Sequence, residues 1–273
     1  MGAAVYPTVL LFDIGGVCVV SPFQAILDYE KKNGIPVGWV NHSIAHSPSG
    51  AWGKIERGQM LLDKSFFAEF KRDLTNEKLW REYHAKLKAR SGKPGGSEEA
   101  PPIPDINSEQ LFWEMMRIAR NPDPHMFPAL KRLRRAADAS EGKLVLGALS
   151  NTTIFPPEHP FNDPSTVDGR FNAELRSMFD VHVSSAHVGM RKPEKGIYEY
   201  ALVRLHEFVK LKGYGMGVRP QDITFLDDIG TNLRTAKQLG FNTIKVQLGK
   251  ANLAVAELEK LTGLTLSSEK AQL

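Results

Sequence analysis

Asp13 ends the apolar run Val9 to Phe12 and is followed at once by Ile14, Gly15 and Gly16. A buried parallel strand that delivers a carboxylate at its carboxyl end and then turns sharply places it in the crevice where open α/β sheets hold ligands. There an Asp serves as a nucleophile or as an oxygen ligand for a hard cation. Alone, the stretch is ordinary turn chemistry, with Asp13 capping the turn. Three later stretches repeat the arrangement. Ser150-Asn151 follows the apolar segment Lys143 to Leu149, Arg191-Lys192-Pro193 comes after Val181 to Ser184, and Asp227-Asp228 closes Asp222 to Leu226. An Asp, a hydroxyl, a Lys and an Asp pair converge if those segments are neighbouring strands of one sheet.

The surrounding elements supply such a sheet. Helical periodicity over 125–139, 193–212 and 231–239 alternates with the strands 143–149, 181–184, 222–226 and 242–246. That alternation predicts an α/β fold with a doubly wound parallel sheet covered on both faces. Between the first strand and the next lie about a hundred residues of helical pattern. Helices are expected at 22–33, around Trp52 to Gly58, at 61–74, and from Asn107 or Ser108 to Ile118. The Gly- and Pro-rich span 90–104 reads as an exposed, flexible loop, and 155–169 as a polar loop. Pro and polar residues outnumber apolar ones in both.

Composition narrows the function classes. The 273 residues are 42% hydrophobic and 24% charged, and 35 Lys and Arg against 31 Asp and Glu give a net charge of +4. The densest basic patch, Lys131, Arg132, Arg134 and Arg135, lies on a predicted amphipathic helix without aromatic interleaving, so it reads as a solvated face rather than a nucleic-acid footprint. Cys18 is the only cysteine. It excludes an intrachain disulfide and a Cys-based zinc site, suits a reducing compartment, and sits in an apolar run as a buried small hydrophobe. No stretch has the length of a membrane span. Met1-Gly2 starts like a myristoylation site, but Tyr6 stands where Ser or Thr is wanted, and Ala271-Gln272-Leu273 lacks the basic residue of a peroxisomal signal. The expectation is a cytoplasmic protein that binds neither nucleic acid nor membrane, with a homodimer left open.

Taken in order, Phe12-Asp13-Ile14-Gly15-Gly16-Val17, Leu149-Ser150-Asn151, Arg191-Lys192-Pro193 and Phe225-Leu226-Asp227-Asp228-Ile229-Gly230-Thr231-Asn232 resemble the four motifs of the haloacid dehalogenase-like (HAD) superfamily, over nearly the whole chain. Val188-Gly189-Met190-Arg191-Lys192-Pro193-Glu194 and the stretch from Trp52 to Glu56-Arg57-Gly58 look closest to one branch. It holds the amino-terminal phosphatase domain of soluble epoxide hydrolases and the related domain of some multidomain acyl-CoA dehydrogenases.

The resemblance implies a HAD-like Rossmannoid core of residues 1–18 and 121–273, with a type-one helical cap at 19–120. It implies a Mg2+-dependent phosphatase acting on a small phosphorylated metabolite. Asp13 would attack phosphorus to form an aspartyl-phosphate that water cleaves, while Lys192 offsets the charge. Asp13, the Gly15 carbonyl and Asp228 would hold Mg2+. Ser150, Asn151 and Gly16 would bind the phosphoryl oxygens, and Asp227 and Asn232 would orient the metal's waters or Lys192.

One position departs from the pattern. Superfamily phosphatases usually carry a second Asp two residues after the nucleophile, as the proton donor to the leaving group; here that position is Gly15. Such assistance is typically worth about 10²–10⁴-fold. Three readings follow, ranked in this order. The first is a phosphatase with a substitute donor or a bias toward good leaving groups. The second is a feeble module that binds a phosphorylated ligand, and the third is a haloacid dehalogenase, which needs no metal. His42, His46 and His187 are candidate donors, and Trp52, Lys54 and Arg57 are candidate cap contacts to substrate, although surface or core roles suit each of these as well.

Overall fold

The computed structural model describes residues 6–91 and 100–267. Five strands, β1 (Thr8–Phe12), β2 (Leu144–Ser150), β3 (Val181–Ser184), β4 (Ile223–Asp227) and β5 (Asn242–Lys245), form one sheet in the order β3-β2-β1-β4-β5. Every pairing is parallel. Phe12 stands opposite Ala148 on one side and Leu226 on the other. The Asp13 amide then donates to the Leu226 carbonyl at 2.8 Å, which carries the ladder one residue further. Strand order reverses around β1, and such a switch point opens a crevice at the carboxyl ends.

The chain after β1 folds into six helices: α1 (Phe23–Lys32), α2 (Trp39–His46), α3 (Ala51–Glu56), α4 (Lys64–Leu74), α5 (Glu77–Ser91) and α6 (Ser108–Ile118). They enclose a core of their own, built around Trp39, Phe66, Phe70 and Phe112. Each fully buried side chain of this size stabilises by about 1.5–3 kcal/mol through removal of apolar area from water. Caps fix where the helices begin. Asp63 accepts from the amides of Ser65 and Phe66 at the start of α4, and Asn107, not Ser108, caps α6 by accepting from Gln110.

The remaining helices are α7 (Met126–Asp138), α8 (Val167–Ser177), α9 (Ser185–Val188), α10 (Lys195–Leu211), α11 (Gly230–Gln238) and α12 (Ala251–Thr262). Leu10, Phe12, Leu146 and Leu226 pack with α7 and α12 on one face of the sheet. Val9, Leu11, Val145 and Phe225 pack with α10 and α11 on the other. Alternate residues of one strand thus serve opposite layers, as a doubly wound sheet requires.

Several expectations shift. The polar stretch from Phe155 to Gly169 contains a 3-10 turn at Pro160–Asn162 and the start of α8, which Thr166 caps through the Gly169 amide. The span 90–104 begins inside α5, and its residues 92–99 lie outside the described part of the chain. Ala100 and Ile103 pack against the α1–α6 core, and Pro101 accepts from the Trp80 indole at 2.7 Å, so this end is tied down rather than free. The termini, Met1-Gly2 and Ala271 to Leu273, also lie outside the described residues. Cys18 is fully buried, as its apolar neighbours indicate. The basic face of α7 is less solvated than expected. Lys131 pairs with Glu174, Arg134 pairs with Asp180, and Arg132 donates to the Leu266 carbonyl. Among the described residues, no helix is long and apolar enough to cross a membrane.

Candidate active site

The carboxyl ends of β1, β2 and β4 bring Asp13, Ser150 and Asp227 to one edge of the sheet, and the turn before α10 adds Lys192. Lys192 is 1% exposed, although Lys is almost never fully buried unless paired. Its ammonium lies 2.9 Å from Asp13 Oδ1 and 2.7 Å from Asp227 Oδ2. Burial alone would depress its pKa, but Asp13 and Asp227 more than offset this and hold the ammonium above its usual range. A cation fixed between two carboxylates is the arrangement that a transferring phosphoryl group needs nearby.

Asp227 is fully buried and its oxygens are occupied. Oδ2 takes Lys192, Oδ1 accepts the Ile229 amide at 2.7 Å, and the Asn232 amide reaches both oxygens at 3.0 and 3.1 Å. Asn232 is therefore not the cap of α11, whose N-cap is Ile229. Its own carbonyl accepts from the buried Tyr198 hydroxyl at 3.0 Å. Asn151 exchanges two hydrogen bonds with the Lys192 backbone, at 2.8 and 3.1 Å, and so ties the end of β2 to the lysine turn.

Asp13 and Asp228 differ from Asp227 in having spare valence. The Ile14 amide, at 2.7 Å, and Lys192 both engage Asp13 through Oδ1. Burial pushes the Asp13 carboxyl up to about 6, with Lys192 opposing and Asp227 adding to the rise. Asp228 is pushed up to about 8, first by burial and then by the charges of Asp13 and Asp227. Its Oδ1 is shielded from solvent and has no hydrogen-bond partner. One oxygen from each of Asp13, Asp227 and Asp228 lies within 4.8 Å of the others. A buried carboxylate oxygen without a partner, beside a second acid that repels it, is costly unless a cation joins them. The donor set, all hard oxygen, fits Mg2+.

The two glycines of the first turn do different things. Gly16 has φ +75°, and a Cβ there would come within 2.5 Å of Asp228 Oδ2. Its amide is already given to the Val19 carbonyl at 2.9 Å, so what Gly16 contributes to the cleft is clearance for Asp228. Gly15 lines the cleft, and a Cβ on it would meet only Pro22 Cδ, at 3.9 Å.

Two chambers open from this edge, of about 830 and 500 Å³, and both are lined by Gly15, Trp52, Glu56, Ser150 and Asn151. The larger holds Asp13, Lys192 and Asp228; the smaller runs between apolar side chains such as Phe112, Phe155 and Leu175. Ser150 is 4% exposed, and its hydroxyl has only a long 3.4 Å contact to the Asn151 carbonyl. The helical insertion contacts the lysine turn through two crossed ion pairs. Arg57 binds Glu194, and Arg191 Nε lies 2.7 Å from Glu56 Oε2.

The candidate cap residues and histidines separate on this geometry. Trp52 lines both chambers and also packs on Phe70 and Phe112, so it is wall and core together. Arg57 faces the larger chamber but is held by Glu194, and Lys54 is paired with Glu69 away from both. His42 and His46 stack on each other, and His42 also packs on Tyr83; neither lines a chamber. His187 lines the smaller chamber, with its Nδ1 2.7 Å from the Ser184 hydroxyl. Glu56 and Arg191 were legible only as a helix end and as a motif neighbour; nothing in their spacing announces that they meet.

No family model matches the chain. It is 29% identical over 258 residues, 94% of its length, to acyl-CoA dehydrogenase family member 10 of Mus musculus. It is 39% identical over 93 residues, 34% of its length, to bifunctional epoxide hydrolase 2 of Sus scrofa. The chain spans 19% of the first relative and 14% of the second. Among solved structures, one described as a predicted HAD-like family hydrolase from Porphyromonas gingivalis superposes with a TM-score of 0.51 at 20% identity, covering 94% of this chain and 98% of that one. The fold is that of the HAD-like hydrolases, with a helical cap, and the chain is homologous to parts of both curated relatives.

Proposed function

We propose that this chain is a Mg2+-dependent phosphatase that cleaves a small phosphorylated metabolite through an aspartyl-phosphate on Asp13. One observation carries the reading. A fully buried Lys192 bridges Asp13 and Asp227, while Asp228 beside them keeps a shielded carboxylate oxygen with no partner. Halide displacement from a haloacid needs no metal, so it leaves that oxygen uncompensated; a phosphatase uses it.

Asp13 Oδ2, the oxygen that neither Lys192 nor the Ile14 amide engages, attacks phosphorus in line as the ester oxygen departs. Lys192 neutralises charge between Asp13 and the phosphoryl oxygens, and Asp227 with Asn232 keeps the ammonium aimed. The Ser150 hydroxyl donates to a phosphoryl oxygen, and Asn151 fixes the lysine turn against that hydroxyl's strand. Water then attacks the phosphorus of the phosphoenzyme and releases phosphate. Mg2+, held by Asp13, Asp228 and the Gly15 carbonyl, would supply charge neutralisation for the dianion. Gly16 contributes the clearance described above rather than a free amide. The insertion, residues 19–120, closes over the cleft and excludes water, and it sets which ester is accepted.

The test is a panel of phosphate monoesters assayed with and without Mg2+, on the wild type beside Asp13→Asn. Turnover that is lost on chelation and in the variant supports the reading. Tight binding of a phosphorylated ligand without turnover moves the chain to a binding module, and haloacid turnover indifferent to chelator moves it to a dehalogenase.

A further inference from the structure

With Gly15 in place of the usual second acid, the proposed reaction lacks the carboxylic acid that the first motif ordinarily supplies, and the leaving alkoxide must still be protonated. The carboxyl groups that line the two chambers, among the described residues, are Asp13, Glu56, Glu194 and Asp228. Asp13 and Asp228 face the phosphoryl group and the cation. Glu194 lies in the larger chamber alone, bound by Arg57 and by the Arg191 amide. Glu56, like Gly15, lines both chambers, so it stands on the wall that the part of the substrate beyond phosphorus must pass.

Resting on the phosphatase reading, we infer that Glu56, carried by cap helix α3, is the acid–base residue that takes the place left vacant at Gly15. Its side chain is 12% exposed, and its Oε2 is shielded from solvent. The groups that face it are Arg191 at 2.7 Å, the Trp52 indole, and the more distant charges of Lys192 and Arg57, the last being held by Glu194. Burial raises the Glu56 carboxyl above its usual range, against the pull of Arg191 and the others. A carboxyl drawn toward the working pH by burial, yet kept beside a cation that stabilises its ionised form, suits a group that gives up a proton and takes one back.

The step balances as follows. Asp13 forms the O–P bond as the ester O–P bond breaks, and Glu56 transfers its proton to the departing oxygen, leaving a neutral alcohol and a carboxylate paired to Arg191. That carboxylate then removes a proton from the water that attacks the phosphoenzyme. Phosphate leaves, Asp13 is regenerated, and Glu56 is again protonated. Because the donor comes from the cap, proton transfer occurs only with the cap closed, which ties the chemistry to substrate enclosure.

The test compares kcat/KM on an alkyl phosphate with kcat/KM on 4-nitrophenyl phosphate, whose leaving group needs no proton. With Mg2+ present, Glu56→Gln is expected to lose about 10²-fold or more on the alkyl ester and under about threefold on the aryl ester. The alkaline fall in the wild-type alkyl profile should vanish in the variant. Adding Gly15→Asp to Glu56→Gln should restore alkyl turnover, since a side chain at 15 has room. Equal losses on both esters would make Glu56 a structural latch and overturn the inference. If Glu56→Gln does not fold, the wild type decides alone: an alkaline limb shared by alkyl and aryl esters counts against it, and one confined to the alkyl ester supports it. A wild type inactive on both esters overturns the phosphatase reading itself, a different outcome from an active enzyme indifferent to residue 56.

Discussion

The Lys192 ammonium and the Asp227 carboxylate lie 2.7 Å apart with neither side chain more than 1% exposed. Two charges taken this far out of water are tolerated only while each keeps the other. Replacing Lys192 by Met leaves Asp227 and Asp13 as neighbouring uncompensated acids. The expected cost is about 3–5 kcal/mol in denaturant unfolding, together with loss of turnover. A variant within about 1 kcal/mol of the wild type would show that the pair is not the anchor of the cleft.

Asp228 gives a pH prediction with an unusual sign. Burial raises its carboxyl to about 8 and that of Asp13 to about 6, with the charges of Asp13 and Asp227 adding at Asp228 and that of Asp227 adding at Asp13. The native state therefore binds more protons than the unfolded chain between about pH 4 and 8, and stability falls as pH rises through that window. Metal-free protein should melt lower at pH 8 than at pH 5, and Mg2+ should recover the difference at pH 8. Asp228→Asn should remove most of the pH dependence and the Mg2+ response. It should also raise the metal-free melting temperature by roughly 2–8 °C, equivalent to about 1–2 kcal/mol. Melting curves at the two pH values, with and without Mg2+, read all of these effects.

Gly16→Ala is expected to behave as a metal-site variant although position 16 supplies no ligand side chain. The new methyl falls 2.5 Å from Asp228 Oδ2 in a backbone conformation, φ +75°, that disfavours side chains. Disturbing a neighbour that positions a metal ligand typically costs about 10–100-fold in metal affinity. Mg2+ titration of activity should show that shift, with kcat at saturating metal much less affected. Unchanged Mg2+ dependence would remove Asp228 from the metal site.

Arg57→Ala should separate cap closure from chemistry. Arg57 pairs with Glu194 across the cap–core contact, and the side chain is 19% exposed. Its loss weakens closure without touching Asp13 or Lys192, so KM should rise several-fold on every substrate while the alkyl-to-aryl ratio stays constant. A change in that ratio would assign Arg57 a part in leaving-group chemistry.

How much of this was legible in the sequence follows a physical division. Asp13, Ser150, Asp227 and Asp228 lie at strand ends, and apolar runs broken by polar residues mark those ends directly. Lys192 could be placed beyond a strand, although the short helix α9, which the sequence did not announce, lies between that strand and its turn. The partners of these groups were harder. Asn232 looks like a helix N-cap, and only the fold shows its amide on Asp227. The start of helix α8 was read as the end of a loop because Pro, Asp and Gly dominate its approach, and the helix's apolar contacts, Leu175 among them, come from distant layers. Glu56 was invisible as a site residue. It sits on a six-residue helix whose spacing says nothing about Arg191, and the meeting depends on how the cap closes.

Position 15 ends as more than a missing acid. A Cβ there touches nothing nearer than 3.9 Å, and its φ is not among the positive values that would demand glycine. Packing therefore does not keep an aspartate out, and a single base change in a glycine codon can supply one. On the phosphatase reading, the first turn thus sets leaving-group preference at a position that mutation can reset without rebuilding the protein.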